Sequence, residues 1–287
     1  MFDLTFGAGR AARQAVQQRG EARQRLLQLG VPLFPDGMLR QAVAAAPELG
    51  RGTFGACYSI LVYADSRPLA AAAKLYHGQQ SLQQALREAL AYHQLADVPG
   101  VPRLLGVSLA PLCLVTTLHG PRTLLDALCS PGTPAAALLC ALAQLAATLR
   151  AMHERRLCHN DLKFDNVLLD GAPDVPAARA TLVDMGAVRR TGARPYHGRQ
   201  LSGDKYPYLA PEVLRGGPVS PASDAFSLGW MLEGVLDALP PASPARAEQG
   251  RGVARQCMHQ DPAQRLSVAA AQDAITNLLL DGGPIIR

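Results

Sequence analysis

Lysine is almost absent from this chain. Of its 28 basic residues only Lys74, Lys163 and Lys205 are lysines, and the rest are arginines in a background heavy with Ala, Gly and Pro. That bias looks like drift in nucleotide composition, so the formal net charge of +5 is a poor sign of nucleic-acid or membrane binding. Aromatic residues are scarce as well, at 5% with a single Trp, and only 18% of residues carry charge. With 48% apolar residues the composition is that of an ordinary soluble globular protein. A length of 287 residues leaves room for one large domain or two lobes, with enough core to fold without staples.

Cysteine pairing signals are missing too. Cys57, Cys113, Cys129, Cys140, Cys158 and Cys257 show no CxxC pair and no His/Cys metal spacing. They sit in apolar surroundings and read as reduced core residues in a reducing compartment, hence an intracellular protein, cytoplasmic or nuclear. The N-terminus has no hydrophobic h-region, which argues against secretion. A mitochondrial transit peptide fits poorly: Asp3 and Glu21 intrude, no Ser precedes Ser59, and Arg10, Arg13, Arg19, Arg23 and Arg25 scatter around a helical wheel. The longest apolar stretch, 135–149, is interrupted by Gln144 and Thr148 and is short for a bilayer span, so it reads as a buried helix.

What is present has a clear order. Residues 1–47 form a helical, Gln/Arg-rich extension ending near Pro47. Strand-like segments follow at 56–64 and 69–75, joined by a polar turn at 65–68. Helical periodicity runs over 79–95, with Leu82, Ala85, Leu86, Ala89 and Tyr92 on related faces. Further strands are expected at 104–108 and 112–118. After a Gly/Pro patch at 130–134 the pattern turns helical, apart from short strands near 167–169 and 181–183. Strands first and helices later imply an α+β chain, with a β-rich lobe over 48–118 and a larger α-rich lobe over 119–287.

Three features carry chemistry. Gly50-Arg51-Gly52-Thr53-Phe54-Gly55 places glycines where a backbone could approach phosphates and offer N–H donors without a Cβ in the way. A Rossmann fingerprint shares these letters but wants a helix next. The strand-like run from Ala56 to Tyr63 favours a hairpin folded over phosphates instead. Lys74 ends an apolar strand, where it is either a snorkelling edge residue or a buried cation with a polyanionic ligand. Glu88 lies fourteen residues on, along the next helix, near the spacing at which that helix packs back against it.

At this point the chain resembles the small lobe of a eukaryotic-type protein kinase, and the second half extends the likeness. His159-Asn160-Asp161-Leu162-Lys163-Phe164-Asp165-Asn166 is similar to the H-R-D-L-x-x-x-N catalytic loop, and Asp184-Met185-Gly186 to D-F-G. Ala210-Pro211-Glu212 resembles the A-P-E that closes the activation segment. Asp224 resembles the helix aspartate that anchors the catalytic loop, and Arg265 the arginine that pairs with the A-P-E glutamate. The resemblance covers roughly residues 48–275. It implies a bilobal protein-kinase-like fold and phosphotransfer from ATP to Ser/Thr hydroxyls of a protein substrate.

The resemblance also implies roles. Asp161 would act as base with Lys163 beside it, and Asn166 and Asp184 would ligate Mg²⁺ or Mn²⁺. Leu49, Gly50, Gly52, Phe54, Gly55, Cys57, Ala72, Lys74, Glu88, Thr116, Leu118 and Leu168 would line the ATP site, with Lys74 on the phosphates and Glu88 orienting it. The protein is expected to be a monomer with a protein substrate, no nucleic-acid partner and no membrane span.

Departures from the pattern matter. Asn160 stands where an arginine would read a phosphorylated activation loop, so activity without that phosphorylation is expected. Met185 replaces the D-F-G phenylalanine and should pack against His159, Tyr92 and Leu104. Lys205 stands where Ser/Thr kinases carry the threonine that helps arrange the base and Lys163. Arg189, Arg190, Arg194, His197 and Arg199 make this segment basic, which suits acidic or already phosphorylated substrates. Small-molecule phosphotransferases of the same fold are the alternative enzyme and a pseudokinase scaffold the non-enzymatic one. Lys163, Ala210-Pro211-Glu212 and Asp224 oppose the first; the retention of Lys74, Asp161, Asn166 and Asp184 opposes the second.

Overall fold

The computed structural model describes residues 4–64, 67–78, 81–171, 178–238 and 244–280. The chain divides into two compact units, residues 1–96 with 103–118, and residues 97–102 with 119–287. Parts of four sequence readings lie outside the described residues: 1–3 of the extension, Asp65 and Ser66 of the turn, Gln79 and Gln80 at the helix start, and 172–177, 239–243 and 281–287 of the second lobe.

In the first unit, α1 (Leu4–Gln28) and α2 (Met38–Ala44) precede β1 (Glu48–Gly52), β2 (Gly55–Ala64) and β3 (Arg67–Tyr76). Then come α3 (Ser81–Gln94), β4 (Leu104–Leu109) and β5 (Leu112–Thr117). The strands form one antiparallel sheet in the order β1-β2-β3-β5-β4. Alternation fixes its faces: Ile60, Val62, Ala71, Ala73, Cys113 and Val115 turn into a core that Leu39 and Val43 of α2 complete. Residues 31–46, grouped by sequence with the extension, therefore help build this core.

The second unit holds β6 (Arg122–Thr123), α4 (Leu124–Cys129), α5 (Ala135–Glu154), β7 (Leu157–Cys158), β8 (Val167–Asp170), β9 (Arg179–Leu182) and β10 (Arg189–Arg190). It continues with α6 (Pro211–Leu214), α7 (Pro221–Ala238), α8 (Pro244–Cys257) and α9 (Val268–Leu280). Its small sheets run β6-β8-β9 and β10-β7. A reciprocal cap starts α4, Thr123 accepting from the Asp126 N–H while the Asp126 carboxylate accepts from the Thr123 N–H. Among the described residues α5 is the one helix long and apolar enough to cross a membrane by length and composition. Its apolar residues serve packing on α7, α9 and β9, with Leu142, Leu149 and Met152 fully buried and Arg150 and Glu154 exposed.

The reading of all six cysteines as core residues needs correcting. Cys113, Cys158 and Cys257 are buried, Cys57 and Cys140 are half-buried, and Cys129 is exposed. Cys129 is the last residue of α4, where the amphipathic pattern turns to solvent, and its apolar sequence neighbours do not follow it out.

Candidate functional site

Each unit carries one cluster. In the first, the glycine motif is the β1–β2 hairpin, with Gly50 paired to Cys57 and Gly52 to Gly55. Thr53 and Phe54 form its turn. Leu49 and Phe54 are exposed along it. Gly55 is required by the fold, because a Cβ there would lie 2.2 Å from the Leu75 carbonyl oxygen. Gly50 and Gly52 have no such duty: a Cβ would meet nothing within 4 Å, and neither needs positive φ. The hairpin thus leaves open the volume that a closely approaching ligand would use.

Register assembles the rest of this cluster. Cys57 lies opposite Lys74 on β2–β3, and Ala72 opposite Thr116 on β3–β5. Direct antiparallel partners share a face, and so do residues two apart. Cys57, Ala72, Lys74 and Thr116 therefore occupy one face of the sheet. Leu118, just past β5, donates its N–H to the Ala70 carbonyl.

Lys74 Nζ donates to both carboxylate oxygens of Glu88, at 3.0 and 2.8 Å. Glu88 is only 1% exposed, so this pair joins α3 to β3 inside the unit. Tyr76, two residues beyond Lys74 on the same face, adds its hydroxyl to Glu88 at 2.6 Å. Sequence reasoning missed Tyr76, although its two-residue offset from Lys74 was available as a signal.

In the second unit the catalytic-loop motif spans the gap between β7 and β8. Asp224, fully buried on α7, anchors it by accepting from the N–H groups of His159 (2.9 Å) and Asn160 (3.0 Å) and from His153 Nε2 (2.8 Å). His153 was not foreseen. With all three donors aimed at Asp224, the nearby His153, Cys158 and Asp224 triad reads as an anchor, not a metal centre. His159 Nδ1 accepts from the Asp161 N–H at 3.3 Å, which leaves its Nε2–H for the Val183 carbonyl at the same distance.

Asp161 Oδ2 accepts from Lys163 Nζ at 3.1 Å and from Asn166 Nδ2 at 3.0 Å. The same Nδ2 donates to the Asp161 carbonyl at 2.7 Å, which leaves Asn166 Oδ1, the metal-ligating type of atom, turned elsewhere. Asp184 opens the next turn in a left-handed conformation at φ 61°, its carboxylate accepting from the Gly186 N–H. Met185 is fully buried, and Leu168 is half-buried on β8.

Asn160 also adopts positive φ, at 64°, a conformation asparagine tolerates better than most residues. Its Nδ2 donates to the carbonyls of Cys158 (3.0 Å) and Ala187 (3.2 Å). Arg265, with no side-chain exposure, grips Glu212 through two bonds of 2.7 and 2.8 Å. Lys205 is exposed and lies over the Tyr206 ring.

Fold and clusters together define the class, a bilobal α+β architecture of the kinase type. The protein kinase domain model matches residues 44–249, and the chain belongs to that family. It is similar to the serine/threonine-protein kinase SBK2 of Homo sapiens, 34% identical over 170 residues, 53% of this chain and 46% of that protein. It is also 29% identical over 228 residues to the serine/threonine-protein kinase SBK1 of Mus musculus, covering 72% of this chain and 53% of the relative. Calcium-dependent protein kinase 34 of Arabidopsis thaliana matches at 26% over 263 residues, 80% of this chain and 49% of the relative. The chain spans about half the length of these curated relatives.

Proposed function

We propose that the chain is an ATP-dependent protein kinase that transfers the γ-phosphoryl group to Ser/Thr hydroxyls without prior phosphorylation of its activation segment. The carrying observation is the arrangement around Asp161. A carboxylate held by Lys163 and Asn166, on a loop anchored by Asp224, suits a general base for a hydroxyl, an effect of roughly 10²–10⁴-fold. Lys74, held in place by its pair with Glu88, suits the α- and β-phosphates of ATP. The open volume over Gly50 and Gly52 fits phosphates approached by backbone N–H groups. Leu49, Phe54, Cys57, Ala72, Thr116, Leu118 and Leu168 complete the assignment of the nucleotide site.

Oxygen donors at Asn166 and Asp184 suit a hard divalent cation, Mg²⁺ or Mn²⁺, which would neutralise phosphate charge there. Asp161 receives the acceptor hydroxyl proton while Lys163 balances its charge.

Independence from activation-loop phosphorylation is supported by Asn160 and Arg189. Asn160 ties the loop after Asp184 directly to the catalytic loop through the Ala187 carbonyl. Arg189 spends guanidinium donors on the Gly186 and Val188 carbonyls, at 3.1 and 2.7 Å. The exposed Arg190, Arg194, His197 and Arg199 support a preference for acidic or phosphorylated protein substrates. The Glu212–Arg265 pair and Lys163 favour a protein acceptor over a small molecule. Thiols held as free cysteines suit a reducing, intracellular compartment.

Mg·ATP turnover on generic protein substrates, with Asp161→Asn as control, tests this reading. Turnover that Asp161→Asn abolishes is the expected outcome; a wild-type chain without turnover would sink it.

A further inference from the structure

Lys205 stands where a threonine would reach the base, and it lies exposed over the Tyr206 ring. The donor that does reach Asp161 comes from three residues further on. The Tyr208 hydroxyl donates to Asp161 Oδ1 at 2.7 Å, the shortest of the three side-chain bonds to this carboxylate. Lys163 Nζ lies 5.8 Å from the centre of the Tyr208 ring, so one side chain faces both members of the Asp161–Lys163 pair. We propose that Tyr208 is the positioning residue for Asp161 in the transfer reaction, doing from the end of the activation segment what Lys205, turned over the Tyr206 ring, does not do. This rests on the kinase reading above.

Tyr208 is built in. It is buried at 8% exposure, its ring tilted against Trp230 at 5.9 Å and edge-on to Tyr206 at 6.4 Å. Its carbonyl accepts from the Ser227 hydroxyl at 2.6 Å, fixing the backbone to α7. Burial first, and then the hydrogen bond to Asp161, push the phenol far above its ordinary range, so it remains a protonated donor.

Counting acceptor sites shows what holding achieves. A carboxylate offers about four lone-pair directions, two on each oxygen. Lys163 and Asn166 take both on Oδ2, and Tyr208 takes one on Oδ1. The remaining direction, on Oδ1, is where an acceptor hydroxyl would deliver its proton. Without the phenol, Oδ1 loses its one fixed hydrogen bond and the carboxylate can rotate away from the attacking geometry.

The test compares full-length wild type, Asp161→Asn and Tyr208→Phe with Mg·ATP and a generic protein substrate, alongside thermal melts. The ring packing survives in Tyr208→Phe and only the hydroxyl is lost. The expected result is a kcat reduced about ten- to hundredfold, a fraction of the whole base effect, with both KM values within about twofold and the melt little changed. An unchanged kcat overturns the proposal, and a raised kcat overturns it by showing that the phenol competes with the acceptor. A kcat loss matched by loss of folded protein overturns it too, leaving Tyr208 a packing residue. A wild type without turnover overturns the kinase reading itself; a working wild type beside an equally fast Tyr208→Phe overturns only the role of Tyr208.

Discussion

Lys74 and Glu88 show why single residues could be located from sequence. A buried carboxylate needs a cation, and a lysine ending an apolar strand fourteen residues upstream is a matching partner. Scarcity sharpened the signal, since two of the three lysines fall beside the proposed phosphate chemistry. Lys74→Met should abolish turnover and, by stripping the ammonium from a carboxylate 1% exposed, cost about 3 kcal/mol in a urea unfolding titration. A fully active or equally stable variant would contradict the pairing. Tyr76, His153 and Tyr208 were not legible in the same way. Their hydroxyls and ring nitrogen find their targets through packing, and a lone Tyr or His in a sequence is ordinarily just part of a core.

Elements were legible where periodicity had room to develop. The hairpin, β2 to β5 and α3 all lie close to the segments that alternation and helical spacing mark out. The two-residue strands β6, β7 and β10 were invisible, because two residues hold no period; they exist through pairing with partners remote in sequence. Nor could the pattern show that α2 completes the sheet's core. Arg265→Ala leaves the Glu212 carboxylate without its bidentate partner and should destabilise the second unit by about 3 kcal/mol, read by chemical denaturation. Asn160 and Arg189 brace the segment after Asp184 with neutral and carbonyl-directed bonds, so phosphatase treatment should leave turnover unchanged. Loss on dephosphorylation and recovery on rephosphorylation between residues 187 and 209 would refute that brace.

At the scale of the whole molecule, burial sets the response to alkali. The thiols of Cys113, Cys158 and Cys257 rise from an ordinary 9.0 to about 12, chiefly through burial. Between those values the unfolded chain loses protons that the folded chain keeps. Stability is therefore full below about pH 9 and falls as pH rises toward 12, each thiol contributing a slope of about 1.4 kcal/mol per pH unit. Urea midpoints measured from pH 7 to 11 should show this decline, and replacing the three cysteines by alanine should flatten it. The same burial orders thiol reactivity: Cys129, exposed at the end of α4, should be alkylated first in the native protein, and the three buried thiols only on unfolding. The two-lobed α+β architecture was legible because strands cluster before residue 118 and helices after it.

Transfer of labelled γ-phosphate from ATP to a protein, followed by phosphoamino-acid analysis, tests the central claim most directly. Label on serine and threonine is expected with wild type and essentially none with Asp161→Asn, whose loop stays anchored on Asp224. Label that persists in Asp161→Asn, or that appears only on small-molecule acceptors, would contradict it.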